Sequence, residues 1–454
     1  MSKEKVRDLL GMYKRKTKII ATLGPASEKL IDELLKYVDV IRINFAHGDE
    51  DQHKKYFDLV NNRAPILVDL PGPKLRIGVL EKGPITLKNG DVVTFGDKGI
   101  PIEDPIFFKL IKVGTEVLIA DGVIRVEITE VNENSAKGIV KEGGLLTSRK
   151  GINIPDADIP LGITPRDLKL LKEALDLGAN YIGLSFVVSE DDIRKVKEIV
   201  KGKAWVVAKI EKKAALKNLK NIVNEADAIM VARGDLGVEV GLPNLPQTQR
   251  KIINVSRKYG KPVILATQVL ESMVNSPLPT RAETIDVANS VSQGVDAIML
   301  SDETAMGKYP LEAVKTINDL IISVEKTFKP KKTKLYRNVD EAVAYSAVIA
   351  SVLSSASVII TYTRTGSSAI RISRLRPVVP IITLTPSEDL TKILKICYGV
   401  YPKKVEELKS LDDIVKRAKE EAIQMGQKGF IVIVGGVYGD KGETTRFLKV
   451  EELD

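Results

Sequence analysis

Eight short apolar runs, each tied to the next by a longer segment of different period, limit what this chain can fold into. The runs are "TKIIATL" (17–23), "VIRINF" (40–45), "ILVDL" (66–70), "YIGLSFV" (181–187), "WVVAKI" (205–210), "AIMVAR" (228–233), "PVILAT" (262–267) and "AIMLS" (297–301). Between most of them lie stretches such as "DLKLLKEALDLG" and "DIRKVKEIVKG", apolar at three- and four-residue intervals and ending in Gly, a common helix stop. Near-continuous apolar strands alternating with helices imply a parallel sheet covered on both faces. Eight such units predict a closed (β/α)8 TIM barrel.

The interval between the third and fourth runs exceeds a single helix and changes character. "ITLKNGDVVTF" and "VLIADGVIRVEITEV" alternate β-branched residues around Asn-Gly and Asp-Gly turns, the mark of hairpins. The expectation is a barrel over 1–76 and 151–330 and an inserted all-β lid over 77–150. The barrel resumes at "GINIPDADIPLGITPRDL", where Thr164 and Pro165 read as helix cap and first helical residue. After the charged segment "TFKPKKTKLYRNVD", a small-residue helix and the strands "SVIITYT", "VPIITLT" and "GFIVIVGG" predict a C-terminal α/β domain over 335–454.

Composition narrows the chemistry. The single cysteine, Cys397, permits no disulfide and no cysteine metal cage, and it reads as a small buried hydrophobe. With His47 and His53 the only histidines, a multi-histidine metal site is also out. The net charge of +9 is spread along the chain and aromatics are scarce, which argues against a nucleic-acid surface and suits small anionic substrates. No run of about 18 apolar residues is present for a membrane span, and the basic N-terminus lacks the apolar core of a signal peptide. A cytoplasmic protein is expected. A charge-rich, cysteine-poor chain with a compact lid is also what heat adaptation favours.

Active sites of such barrels lie at the carboxyl ends of the strands. Polar residues there are Arg42, Asn44 and His47 after strand two, and Asp69, Lys74 and Arg76 after strand three. Strand four ends in Ser185, strand five in Lys209 and Glu211, and strand six in Arg233 and Asp235. Strand seven ends in Thr267 and Gln268, strand eight in Ser301 and Glu303. In "AKIEK", Lys209 and Glu211 are two apart at a strand end and point the same way. A lysine and a carboxylate on one pocket suggest a divalent ion beside an oxyanion clamp, or else a rim salt bridge. In "ARGDLG", Gly234 allows close approach to the backbone, Asp235 can hold a metal, and the following amides favour an anion. Few, hard oxygen ligands point to Mg2+ or Mn2+ with substrate oxygens completing the shell.

Taken together, "TKIIATLGPAS", "IRINFAHG", "DLPGPKLRIG", "AKIE", "MVARGDLGVE", "ATQVLESM", "PTRAETIDVAN" and "IMLSDETAMGKYP" resemble the pyruvate kinase family in order and spacing. The insertion and the C-terminal domain also fall where that family has them. The resemblance implies phosphoryl transfer from phosphoenolpyruvate to ADP. It implies that Glu211 and Asp235 hold Mg2+, that Lys209 neutralises the moving phosphoryl group and the enolate, and that Arg42 grips the phosphoryl from the other side. Gly234 and Asp235 backbone groups with Thr267 would seat the substrate carboxylate, and Thr267 would join the proton path to the enolate carbon. Asn44, His47, Arg76 and Lys150 would lie near the nucleotide and a second Mg2+. A homotetramer is implied, and the small-residue helix 340–356 reads as a packing face, toward the core or toward another subunit. Two other readings are a barrel aldolase acting on pyruvate and a non-catalytic sensor of a phosphorylated metabolite.

The chain departs from the family in two places. The common form of the stretch after Asp69 reads Asp-Thr-Lys-Gly-Pro-Glu, with a K+ ion near the transferred phosphoryl. Here Lys74 stands at the Glu position, and Ala46 replaces a Ser that supplies a K+ ligand. A lysine ammonium is a fixed monovalent cation. Lys74, partnered by Asp69, is therefore expected to replace K+, and K+ is not required. In the C-terminal domain, Thr363, Arg364, Thr365 and Ser368 of "TYTRTGSSA" resemble an effector-phosphate loop. Asp440 and Glu443 of the final loop would repel a second phosphate, which favours a monophosphate effector or none over fructose 1,6-bisphosphate.

Overall fold

The computed structural model describes residues 15–96, 98–155, 157, 162–327, 338–436, 438–439, 442–443 and 446–453, the backbone alone for 438–439 and 442–443. Asp440, the Glu443 side chain and most of the charged segment after Thr327 lie outside it.

The eight apolar runs form eight parallel strands: β1 (Lys18–Thr22), β2 (Val40–Asn44), β3 (Ile66–Asp69), β4 (Tyr181–Leu184), β5 (Trp205–Ile210), β6 (Ala228–Ala232), β7 (Val263–Ala266) and β8 (Ala297–Leu300). Each pairs with its neighbour in sequence, and β1 closes on β8 through Lys18 opposite Ala297. They read as near-continuous hydrophobic runs because both faces are covered. One face meets the helices and the other fills the barrel interior, so every residue of β3, β4, β6, β7 and β8 is buried.

The chain leaves the barrel after β3 through Pro71-Gly72-Pro73. A Cβ at Gly72 would lie 2.7 Å from the Ser185 Cβ and 2.8 Å from the Phe186 ring, and its φ is +66°, so only glycine fits this turn. The Gly72 amide donates to Asp167 Oδ1 at 3.0 Å. Asp167 also closes the capping box with Thr164 that starts helix Pro165–Asp176. One aspartate therefore fixes both the exit to the insertion and the return from it.

The insertion is an antiparallel six-stranded sheet in the order 75–76, 151–153, 116–119, 124–131, 136–142, 92–95, with a separate pair 85–87 and 144–146. Leu75–Arg76 and Gly151–Asn153, which the sequence reading placed with the barrel, pair in this sheet. Its interior is an independent cluster around Phe95, Phe107, Ile119 and Ile128. The C-terminal part is a five-stranded sheet in the order 400–404, 381–385, 358–362, 429–435, 447–453, parallel except for the last strand.

The C-terminal part is keyed to the amino end of the barrel by buried charge. Arg376, only 1% exposed, sets Nη1 and Nη2 2.8 and 2.7 Å from the two oxygens of Asp296, at the foot of β8. Asp296 also accepts from the amides of Val263 and Tyr398, so barrel and C-terminal sheet share one carboxylate. A second contact sets the Lys18 ammonium 3.7 Å from the Tyr401 ring centre and 3.6 Å from Asp39. Burial outweighs the Asp39 attraction and lowers the Lys18 pKa to about 8.

A lysine with a lowered folded pKa burdens the fold while it is charged, and that burden lifts as pH rises from the folded pKa toward the unfolded one. Thermal midpoints of the wild type and Lys18→Met, compared at about pH 7 and about pH 9.5, should shift in favour of the wild type at the higher pH. A gap independent of pH would contradict this.

Candidate active site

The carboxyl ends of β2, β3, β4 and β5 bring together a charge cluster with little room for water. Asp69 is 2% exposed. Its Oδ2 accepts from Arg42 Nε and Nη2 at 2.9 and 2.7 Å, and its Oδ1 lies 2.9 Å from Lys209 Nζ. Lys209 Nζ is also 3.1 Å from Glu211 Oε1 and donates to Ser185 Oγ at 2.7 Å. Arg42 Nη1 donates to Thr22 Oγ1. Burial alone would lower the Lys209 pKa, but Asp69 and Glu211 overcome it and raise it. Burial likewise pushes the Asp69 carboxyl up, and Lys209 and Arg42 more than reverse this. Both stay charged at neutral pH.

Glu211 Oε2 accepts from the Phe186 amide at 2.7 Å, and Phe186 holds a left-handed φ of +57°. Burial raises the Glu211 pKa against the pull of Lys209, and the neighbouring Asp235 carboxylate adds to the rise. Glu211 and Asp235 are the two neighbouring carboxylates that could take a divalent cation between them. Among the described residues no group of three or more His, Cys, Asp or Glu could hold a metal ion. Glu211 and Asp235 can hold one only with ligands from substrate and water, the usual arrangement for Mg2+.

On the other side, helix Arg233–Val240 starts directly at the end of β6. The Gly234 amide donates to Thr267 Oγ1 at 2.9 Å. Thr267 and Gln268 both have left-handed φ, +67° and +52°, uncommon conformations, costly for a β-branched residue and frequent where function holds them. Arg233 maintains the bend, donating to the Thr267 carbonyl through Nε and Nη2 at 3.1 and 3.0 Å and pairing with Asp286. Glu303, fully buried, accepts from the amides of Leu270 and Ser301 and ties the loops after β7 and β8 together.

The sequence-predicted residues divide into groups. Arg42, Asp69, Lys209 and Glu211 form the cluster, and Asp235 and Thr267 stand at its border. Asn44 is opposite Asp69 in the β2–β3 register, with Oδ1 accepting from the Ala46 amide. His47 is exposed just beyond. Arg76 lies at the root of the inserted sheet, donating to the Arg149 carbonyl next to exposed Lys150. Thr363, Arg364 and Thr365 sit apart, in the loop after strand 358–362 of the C-terminal sheet, with Ser368 in the helix Ser367–Ser373 that follows.

One expectation is corrected. Lys74 does not partner Asp69; its Nζ lies 2.8 Å from Asp235 Oδ1. Arg42 and Lys209 already occupy both oxygens of Asp69 deep in the barrel mouth, whereas Lys74 enters from the insertion side, where Asp235 offers its carboxylate. The structure also gives Arg233 and Glu303, read from the sequence only as strand-end polar groups, a positioning task, and adds His53 to them. Buried His53 stacks on Phe45 at 3.8 Å between ring centres. Its Nδ1 is 2.6 Å from Glu173 and its Nε2 2.8 Å from the His47 carbonyl. A single histidine on an amphipathic helix gave no signal of that bridge.

A lidded (β/α)8 barrel with fixed cations, a carboxylate pair and a helix start on one rim belongs to the enzymes that stabilise anionic transition states by preorganised charge. Comparison with known families narrows this. The family described as "Pyruvate kinase, barrel domain" matches residues 14–314, and "Pyruvate kinase, alpha/beta domain" matches 341–451. The pyruvate kinase of Thermotoga maritima is 38% identical, covering 97% of this chain and 100% of its own length. That of Thermococcus litoralis is 39% identical, over 89% and 92% respectively. That of Methanocaldococcus jannaschii is 36% identical, over 98% and 100%. The chain belongs to the pyruvate kinase family, and it is a kinase that transfers a phosphoryl group from phosphoenolpyruvate to ADP. The aldolase and sensor readings are set aside. No helix among the described residues is long and apolar enough to cross a membrane.

Asp69→Asn should separate binding from turnover. Without the carboxylate, Arg42 and Lys209 lose their common anchor while the site gains net positive charge. The kcat should fall about 100-fold or more, without a rise in the KM for phosphoenolpyruvate. A raised KM with unchanged kcat, in steady-state assays, would contradict that role.

Proposed function

We propose that this pyruvate kinase works with Mg2+ (Mn2+ substituting) and without K+, in the cytoplasm, as a homotetramer. The observation that carries the catalytic part is the cluster of Arg42, Asp69, Lys209 and Glu211 facing Asp235 across one barrel mouth. Glu211 and Asp235 would hold the divalent ion, which supplies charge neutralisation to phosphoryl and enolate oxygens when bound. The Asp235 amide, in the first helical turn, and the Gly234 amide, once it leaves Thr267 Oγ1, would receive the substrate carboxylate together with Thr267. Lys209 and Arg42 flank the phosphoryl group, held in place by Asp69. The phosphorus–oxygen bond to the enolate breaks as the ADP β-phosphate oxygen bonds to phosphorus. Charge building on the enolate oxygen is met by Lys209, already an ammonium. Protonation at the enolate carbon then gives pyruvate, with Thr267 in the proton path. Asn44, His47, Arg76 and Lys150 border the nucleotide side, where a second Mg2+ accompanies ADP.

The division into barrel, inserted lid and C-terminal domain gives each a task. Closure of the lid over the mouth, bringing Arg76 and Lys150 with it, would exclude water from the phosphoryl group. The helix Val339–Leu353 supports the tetramer reading. It exposes Val339, Tyr345, Ile349, Val352 and Leu353, from 39% to 80%, an apolar face suited to another subunit. At the candidate effector loop, Thr363 Oγ1 accepts from the Gly366 amide at 2.9 Å, and Arg364 pairs with Glu407 at 2.7 Å. A phosphate there must displace Glu407, which favours at most a weakly bound monophosphate.

K+ independence rests on Lys74, a cation built into the rim, and on Ala46, which has no hydroxyl to offer K+. The test is pyruvate formation from phosphoenolpyruvate and ADP with Mg2+ in buffer stripped of K+ and NH4+. The wild type should be fully active there, and Lys74→Glu should need added K+. Wild-type activity appearing only with K+ would overturn this part of the proposal.

A further inference from the structure

Lys74 occupies a position that its role as a resident monovalent cation does not explain. Its ammonium is on Asp235 Oδ1 at 2.8 Å, and the side chains of the pair are 22% and 21% exposed. Asp235 is one of the two carboxylates read above as the divalent seat. The geometry points to Lys74 as an internal occupant of that seat: its ammonium neutralises Asp235 until a divalent ion enters, and must leave the carboxylate when it does. Metal loading and release of the Lys74 charge toward the phosphoryl position are then one coupled event. The inference rests on the assignment of Glu211 and Asp235 as the seat.

Three observations carry it. Lys74 pairs with Asp235 as Lys209 pairs with Glu211, so each carboxylate of the seat already holds an ammonium. An ammonium and a divalent ion cannot both lie against one carboxylate in a half-buried mouth without strong repulsion. The Lys74 backbone cannot give way, because it follows the Pro71-Gly72-Pro73 turn, where Lys74 N donates to the Gly72 carbonyl at 3.0 Å and the Gly72 amide is held by Asp167. The motion therefore belongs to the side chain. Finally, the stem of Lys74 in its present position crosses Gly151, the first residue of the returning strand 151–153. A Cβ there would come within 2.7 Å of Lys74 Cε. Gly151 has no positive φ to protect, so its lack of a side chain serves the passage of the lysine stem, and that passage lies at the root of the lid.

An internal competitor lowers apparent metal affinity by the fraction of time it holds the seat. Mn2+ binding to the full-length protein without substrates, followed by the paramagnetic resonance signal of free Mn2+, reads this directly. Lys74→Met should bind Mn2+ about 10-fold more tightly than the wild type, on the scale of a competitor bound about nine-tenths of the time. Loss of a nearby positive charge would itself tighten binding, so two further variants separate the causes. Gly151→Ala keeps the charge but crowds the stem, and should also tighten Mn2+. The double variant should bind no more tightly than Lys74→Met alone, since both changes act on one contact. Arg76→Gln, which removes a neighbouring cation that does not touch Asp235, should change affinity less than about two-fold. Unchanged affinity in Gly151→Ala, with equal gains in Lys74→Met and Arg76→Gln, would overturn the competition. Mn2+ binding that Asp235→Asn leaves as in the wild type would overturn the seat itself, and the inference with it.

Discussion

Asp69 is the interaction on which the site depends. It ends a fully buried strand, and its two oxygens are divided between Arg42 and Lys209. Without it, two cations would stand within a few ångströms of each other in a poorly solvated mouth, where mutual repulsion is weakly screened. With it, both are held rigid and charged before any substrate arrives. Such clusters contribute little to stability, because desolvation cancels much of the attraction. Their use is to have the reorganisation done in advance, and that is the source of electrostatic catalysis.

The surrounding fold protects that arrangement with fixed backbone. Phe186, Thr267 and Gln268 hold left-handed conformations at three points of the rim. Each is secured by a specific partner: Glu211 takes the Phe186 amide, and Arg233 takes the carbonyls of Thr267 and Gln268. Asp167 does the same for the turn into the lid. The barrel's carboxyl end is thus strained and active, while its amino end is locked to the C-terminal sheet through Asp296 and Arg376.

What could be read from the sequence follows from the range of the forces involved. The barrel strands were legible because burial on both faces leaves an uninterrupted apolar run. The cap at Thr164 was legible because capping is local. Strands 400–404 and 447–453 were not, since "VYPKK" and "FLKVEEL" carry the charges and proline of strands with exposed positions. At the site, Lys209 and Glu211 could be placed on one face from their spacing alone. The partner of Lys74 could not, because Asp235 is 161 residues away and the choice between it and Asp69 depends on which carboxylate is already filled. Arg233 and Glu303 were legible as strand-end polar groups, but their tasks, like that of His53, escaped for the same reason, as each has partners that come close only in the folded barrel.

Charge assembled at the barrel mouth before binding defines where metal and substrate go. The most direct measurement is anomalous scattering from crystals grown with Mn2+ and phosphoenolpyruvate. A strong peak should lie between the carboxylates of Glu211 and Asp235, with the phosphoryl group between Arg42 and Lys209 and the Lys74 ammonium off Asp235. A peak away from both carboxylates, with substrate bound, would contradict this.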